Sequence, residues 1–127
     1  MDEALSILVV DDHPFYVDTL AAVLGVNGFI VHKAYSGEKA LEILQDHPVD
    51  ILLTDVNMPG MDGVELYRKT KKIRPSVTAV LMTSSAEEVL IRKGKAEGVK
   101  AILDKPVDIE FLLTLFRSIN RINTSSQ

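Results

Sequence analysis

The 127-residue chain contains no cysteine, which excludes disulfides, thiolate chemistry and thiolate-bound zinc and fits a reducing compartment. No apolar run approaches the roughly twenty residues of a membrane span. The start, Met1-Asp2-Glu3, lacks the basic region of a signal peptide. A cytoplasmic protein with no membrane contact is therefore expected. Nor is there a strong excess of either charge: 25% of residues are charged and the formal net charge is -4. That mild acidity argues against a nucleic-acid surface.

What is present suits one domain. A chain of this length buries roughly two-thirds of the surface its unfolded form exposes, enough for a single core. Strand-like apolar runs alternate with amphipathic stretches along its whole length. Strands are predicted over Ser6 to Val10, Ile30 to Ala34, Ile51 to Asp55, Ala79 to Thr83 and Lys100 to Leu103. Helices are predicted over Pro14 to Leu24, Gly37 to Gln45, Gly63 to Ile73, Ala86 to Glu97 and Ile109 to Arg121. Pro14 suits a first helical turn, Gly25 and Gly28 interrupt the first helix, and Ser85 with Glu88 forms a capping box for the fourth.

Runs such as Ile7-Leu8-Val9-Val10 and Ile51-Leu52-Leu53 are apolar at every position, so both faces of their sheet need cover. The fold class is α/β: a flavodoxin-like, doubly wound, five-stranded parallel sheet of order 2-1-3-4-5 with five helices. In that order strands one, three, four and five are neighbours, and ligands sit at the crevice between the first and third.

Four apolar runs end in residues suited to phosphoryl chemistry: Asp11 and Asp12, Asp55, Thr83 and Lys105. All fall on the carboxyl edge of the predicted sheet. With strands about 4.8 Å apart, Lys105 starts roughly 10 Å from Asp55, near the limit of its side chain. Asp11, Asp12 and Asp55 repel one another, and Lys105 offsets only one charge. The two uncompensated charges match a divalent ion, and hard oxygen ligands favour magnesium, with manganese as the alternative. His13 is read as a loop residue before Pro14, with no place in such a site, and His32 and His47 as surface residues.

The pair Asp11-Asp12, the run Asp55-Val56-Asn57-Met58-Pro59-Gly60-Met61-Asp62-Gly63, Thr83-Ser84 and Lys105-Pro106 together resemble the receiver domain of two-component response regulators. The resemblance spans residues 1–122, leaving 123–127 as a polar tail or the start of a linker with no output domain. It implies a CheY-like signalling phosphoacceptor that catalyses only its own phosphorylation and dephosphorylation. Asp55 would take a phosphoryl group from a sensor histidine kinase or a histidine phosphotransfer protein. Asp11, Asp12, Asp55 and the backbone carbonyl of Asn57 would hold the metal. Lys105 would pair with a phosphoryl oxygen, beside a cis peptide bond to Pro106. Thr83, followed by Ser84, would move inward and reshape the face made by the fourth helix, fifth strand and fifth helix. That face would control an output domain or target protein, and a homodimer could form through it.

One departure from the family pattern lies three residues before Lys105, where Ile102 stands in place of the usual aromatic. A switch without a ring flip is expected, carried by Thr83 and the backbone. Along the last helix, Ile109, Leu112, Leu113 and Phe116 suit the core, while Phe111, Leu115 and Ile122 form a second flank that either packs on the sheet edge or binds a partner.

Three rivals rank behind. A pseudo-receiver used only for protein binding would have lost an acid or the lysine. A magnesium-dependent phosphatase of the haloacid dehalogenase type needs a second aspartate where Asn57 stands. A flavodoxin-like electron carrier needs a phosphate-cradling Ser/Thr/Gly loop after the first strand, where Asp11 and Asp12 would repel a flavin phosphate.

Overall fold

Apolar residues at every position of a strand divide by alternation between two cores. In the computed structural model, which describes residues 4–85 and 87–125 (residues 120–125 by backbone alone), this division organises the whole chain. The elements are β1 (Ser6–Val10), α1 (Pro14–Val26), β2 (Ile30–Ala34), α2 (Gly37–Asp46), β3 (Ile51–Asp55), α3 (Gly63–Ile73), β4 (Thr78–Thr83), α4 (Glu88–Glu97), β5 (Ala101–Asp104) and α5 (Ile109–Ser125). The five strands are all parallel, in the order β2-β1-β3-β4-β5. Fold class and strand order are as expected.

Ile7 and Val9 of β1, with Ile51 and Leu53 of β3, point into a core completed by Val17, Leu20 and Leu24 of α1 and Leu112, Leu113 and Phe116 of α5. Leu8, Val10 and Leu52 point the opposite way, against Ala40 and Leu44 of α2 and Leu66 and Tyr67 of α3. Each fully buried Leu or Ile contributes roughly 1.5–3 kcal/mol. Such a sheet has no solvent face for its central strands, and polar side chains are forced to the strand ends. A smaller cluster of Val56, Val64 and Leu81, with Leu90 and Ile102 packed on it, joins α3, α4 and β5.

The boundaries depart from expectation by up to four residues. Helix α1 continues through Gly25 to Val26, and the chain turns at Gly28, whose φ of 97° is a left-handed conformation that glycine adopts without strain. Helix α4 begins at Glu88, capped at Glu87 without a side-chain hydrogen bond, so the Ser85–Glu88 capping box does not form. Ser85 is held instead by Thr83: its N–H donates to Thr83 Oγ1, and the Thr83 hydroxyl donates back to the Ser85 carbonyl. Ala86, the expected helix start, lies outside the described residues, as do Met1-Asp2-Glu3 and residues 126–127.

Helix α5 extends through residues 123–125, which sequence reading assigned to a tail. Ile109 and Leu115 pack against the core it shares with α1, whereas Phe111 stays 54% exposed. The side chain of Ile122 lies outside the described residues. His47 is at the surface, but His32 on the edge strand is half-buried and stacks on the His47 ring at 4.8 Å. Burial, with a second contribution from His47, lowers the pKa of His32.

Candidate functional site

The carboxyl edge of the sheet collects the polar residues that the cores exclude. Asp11 follows β1 and is fully buried, Asp55 ends β3 at 4% exposure, and Thr83 ends β4 and is also buried. Lys105 follows β5 and is largely buried. Strand order alone brings these four together, since β1, β3, β4 and β5 are successive neighbours.

Lys105 reaches across this edge. Its ammonium lies 2.7 Å from Asp11 Oδ2 and 3.7 Å from Asp55 Oδ2. The gap between Lys105 and Asp55 is thus already closed, because two buried carboxylates draw the Lys105 ammonium inward. The Lys105 backbone is fixed as well, its N–H donating to the Thr83 carbonyl at 2.8 Å. The Lys105–Pro106 peptide bond is cis.

Asp12 is half-buried, and its Oδ1 is buried with no hydrogen-bond partner. Oxygen ligand atoms of Asp11, Asp12 and Asp55, with a ring nitrogen of His13, lie within 4.8 Å of one another. His13 is mostly exposed, yet its Nδ1 is 3.1 Å from Asp11 Oδ1 and 3.5 Å from Asp12 Oδ1. His13 is thus drawn to the acidic pair, against expectation, and its only sequence signal is adjacency to that pair. A buried carboxylate oxygen without a hydrogen bond, beside two more carboxylates, is the donor set of a hard divalent cation, and these residues fit one. Asn57 is exposed in the loop after Val56.

The electrostatics follow from burial. Desolvation pushes the pKa of Asp55 up to about 6, the negative charge of Asp11 adds to this, and Lys105 opposes it. For Lys105, burial works against the charged form, but the hydrogen bond to Asp11 and the charges of Asp55 and Asp11 leave its pKa raised. A cation bound beside Asp55 would lower that pKa again and favour the ionised carboxylate.

Supporting residues have plain structural roles. Asp62 caps α3, its Oδ1 accepting the Glu65 N–H at 2.8 Å, as expected of a helix-start residue. Gly63 is required for space rather than for its dihedrals: a Cβ there would sit 2.3 Å from the Asp55 carbonyl oxygen. Ser84 and Pro106 are exposed, and Ile102 is half-buried. Tyr16 was overlooked altogether. Its ring lies beside the Lys105 ammonium and its hydroxyl oxygen accepts the Val107 N–H at 3.1 Å. Its position four residues after Asp12, in the first turn of α1, is the signal that could have found it.

A doubly wound parallel sheet that gathers carboxylates, a hydroxyl and a lysine on its carboxyl edge has the groups to hold a hard cation and a phosphoryl group. The chain belongs to the response regulator receiver domain family, which matches residues 7–117. It is 35% identical over 122 residues to the sensor protein EvgS of Escherichia coli (strain K12), covering 96% of this chain and 10% of that protein. It is 34% identical over 108 residues to a response regulator receiver protein of Anaeromyxobacter sp. (strain Fw109-5), covering 85% of this chain and 45% of that one. The chain thus spans less than half the length of these curated relatives.

Among solved structures, it resembles a CheY-like response regulator receiver domain protein from Methanospirillum hungatei JF-1, with a TM-score of 0.93 at 25% identity over 98% of this chain and 100% of the other. It also resembles the signal receiver domain of an HD domain-containing protein from Pseudomonas fluorescens Pf-5, with a TM-score of 0.91 at 29% identity over 97% and 99%. The chain is accordingly a receiver domain of two-component signal transduction. Among the described residues, no helix is long and apolar enough to cross a membrane.

Proposed function

We propose that Asp55 is the phosphoacceptor, taking a phosphoryl group from a phosphohistidine on a sensor kinase or a histidine phosphotransfer protein in the cytoplasm. The observation that carries this reading is the crevice itself: Asp55, the unpartnered Asp12 oxygen and the Lys105 ammonium converge on one volume. In the transfer, an Asp55 carboxylate oxygen forms the new O–P bond as the P–N bond to the donor imidazole breaks. The imidazole leaves with its electron pair, and hydrolysis later returns the carboxylate and inorganic phosphate.

Asp11, Asp12, Asp55 and the Asn57 carbonyl would hold Mg2+, or Mn2+ in its place. The ion would neutralise charge on the transferring phosphoryl oxygens. Asp55 supplies the nucleophile, and Lys105 shifts from Asp11 toward a phosphoryl oxygen as a third charge arrives. Thr83 would give up its bond to the Ser85 carbonyl and donate to the phosphoryl group instead, drawing the loop before α4 with it. Ile102 has no ring to swing, so the altered α4-β5-α5 face would arise from backbone movement. Output domains, target proteins or a second copy of the domain would read that face. No turnover of a separate substrate is proposed.

Intact mass after incubation with acetyl phosphate tests the assignment. One added phosphoryl group that needs Mg2+ and is lost in Asp55→Asn is the expected result. An adduct that persists in Asp55→Asn would overturn it.

A further inference from the structure

The ammonium of Lys105 touches more than its two carboxylates. It also lies over the ring of Tyr16, 4.7 Å from the centroid, within the range of a cation–π contact. The same tyrosine reaches the chain just beyond the lysine, where its hydroxyl oxygen accepts the Val107 N–H at 3.1 Å. Tyr16 is half-buried in the first turn of α1 and packs against the core shared by α1 and α5, so its ring cannot swing freely. One side chain therefore holds the lysine head by its face and the lysine's loop by its hydroxyl.

We infer that Tyr16 is a positioning residue for Lys105, aiming the ammonium between Asp11 and Asp55 and fixing the Lys105–Val107 loop against α1. This rests on the phosphoacceptor reading above and deepens it. A flexible four-carbon stem needs such a guide. Asp11 alone would draw the ammonium to the first carboxylate and leave it there. The π-face supplies a third, weaker partner whose hold survives when the lysine turns from Asp11 to a phosphoryl oxygen. Aliphatic packing at this position would preserve the fold but not that hold.

The two anchors separate by mutation. Tyr16→Leu removes both, whereas Tyr16→Phe keeps the ring and deletes only the hydroxyl. In the unphosphorylated, metal-free protein, the Lys105 Cε protons, assigned by their loss in Lys105→Arg, are expected to be ring-shifted upfield in wild type and in Tyr16→Phe and to return to ordinary positions in Tyr16→Leu. At saturating Mg2+, phosphorylation of Asp55 by phosphoramidate should slow roughly 3- to 10-fold in Tyr16→Leu, from the usual strength of such contacts, with most of the rate recovered in Tyr16→Phe. Mg2+ affinity should be unchanged in both, since the lysine is moved and not the carboxylates.

Unshifted Lys105 protons in wild type, or a folded Tyr16→Leu with the wild-type rate, would overturn the inference. So would equal slowing in both variants, which would make the loop anchor the whole effect. A wild type that takes no phosphoryl group overturns the phosphoacceptor reading instead, and the hold of Tyr16 on Lys105 then stands or falls on the proton shifts.

Discussion

Lys105 and Asp11 are 94 residues apart in sequence and 2.7 Å apart in space, the shortest ion pair among the described residues. It joins the ends of β5 and β1 across β3 and β4. Asp11 is fully buried, so this pair resists solvent screening and its loss leaves an uncompensated charge in the sheet edge.

Lys105→Met should therefore destabilise the metal-free protein by about 3 kcal/mol, the usual cost of stranding one partner of a buried pair. Added Mg2+ should restore part of this, because the ion replaces the missing positive charge. Urea denaturation with EDTA and with Mg2+ measures both. Equal losses under the two conditions would mean that the ion and the lysine do not share the same carboxylates.

Asp55 carries the opposite sign. Its folded pKa is raised from the ordinary carboxylate value to about 6, with burial the largest cause. A raised folded pKa means that the native state gains stability from this group below the unfolded pKa, near 4, and loses it as pH rises through about 6. In metal-free buffer, Asp55→Asn should then be more stable than wild type at pH 7 by about 3 kcal/mol. The difference should shrink as pH falls through about 6 and vanish only below about pH 3, where Asp55 is neutral in both states. Thermal denaturation across that window checks it, and a gain that grows toward acid pH would contradict the assignment.

Gly63 offers a test of how tightly Asp55 is placed. An added methyl group would lie 2.3 Å from the Asp55 carbonyl oxygen and 3.1 Å from the Val56 Cα, both backbone atoms that no rotamer change can move. Gly63→Ala should cost about 2 kcal/mol of stability as α3 is pushed from β3. It should also weaken Mg2+ binding by displacing Asp55. Gly25→Ala is the control, since a Cβ there meets nothing within 4 Å. A Gly63→Ala variant as stable as Gly25→Ala would show that the helix can retreat without strain.

The sheet order and the residues on its carboxyl edge were legible because they depend on composition at single positions. A run such as Ile7 to Val10 must be covered on both faces, and Asp11, Asp55 and Lys105 can only stand where such runs end. Contacts between elements were not legible. Ser85 and Glu88 have the spacing of a capping box, but the Thr83 hydroxyl takes the Ser85 carbonyl into its own turn. Tyr16 and His13 lie close to the acidic pair in sequence, but their contacts to Lys105 and Asp11 depend on side-chain direction, which spacing does not encode. Gly63 stands in the sequence only as the start of a helix, and nothing there shows that a side chain would meet the carbonyl of a residue eight positions earlier.

The turn built by Thr83 gives the last prediction. Its hydroxyl is the only part of the side chain that binds Ser85, and Ser85 lies three residues before α4 begins. Thr83→Val keeps the β-branched shape that suits the end of β4 and deletes that hydroxyl. If Thr83 carries the phosphorylation signal, the variant should still accept a phosphoryl group on Asp55, because neither the acids nor Lys105 is touched. Its α4 amide resonances, Glu88 to Glu97, should then move much less between the free and phosphorylated forms than in wild type. Helix α4 is poised for such movement: Gly94 is its only buried residue, and its first turn has no side-chain cap. Amide shift changes in α4 as large in Thr83→Val as in wild type would place the signal elsewhere, with Lys105 and its loop the next group to examine.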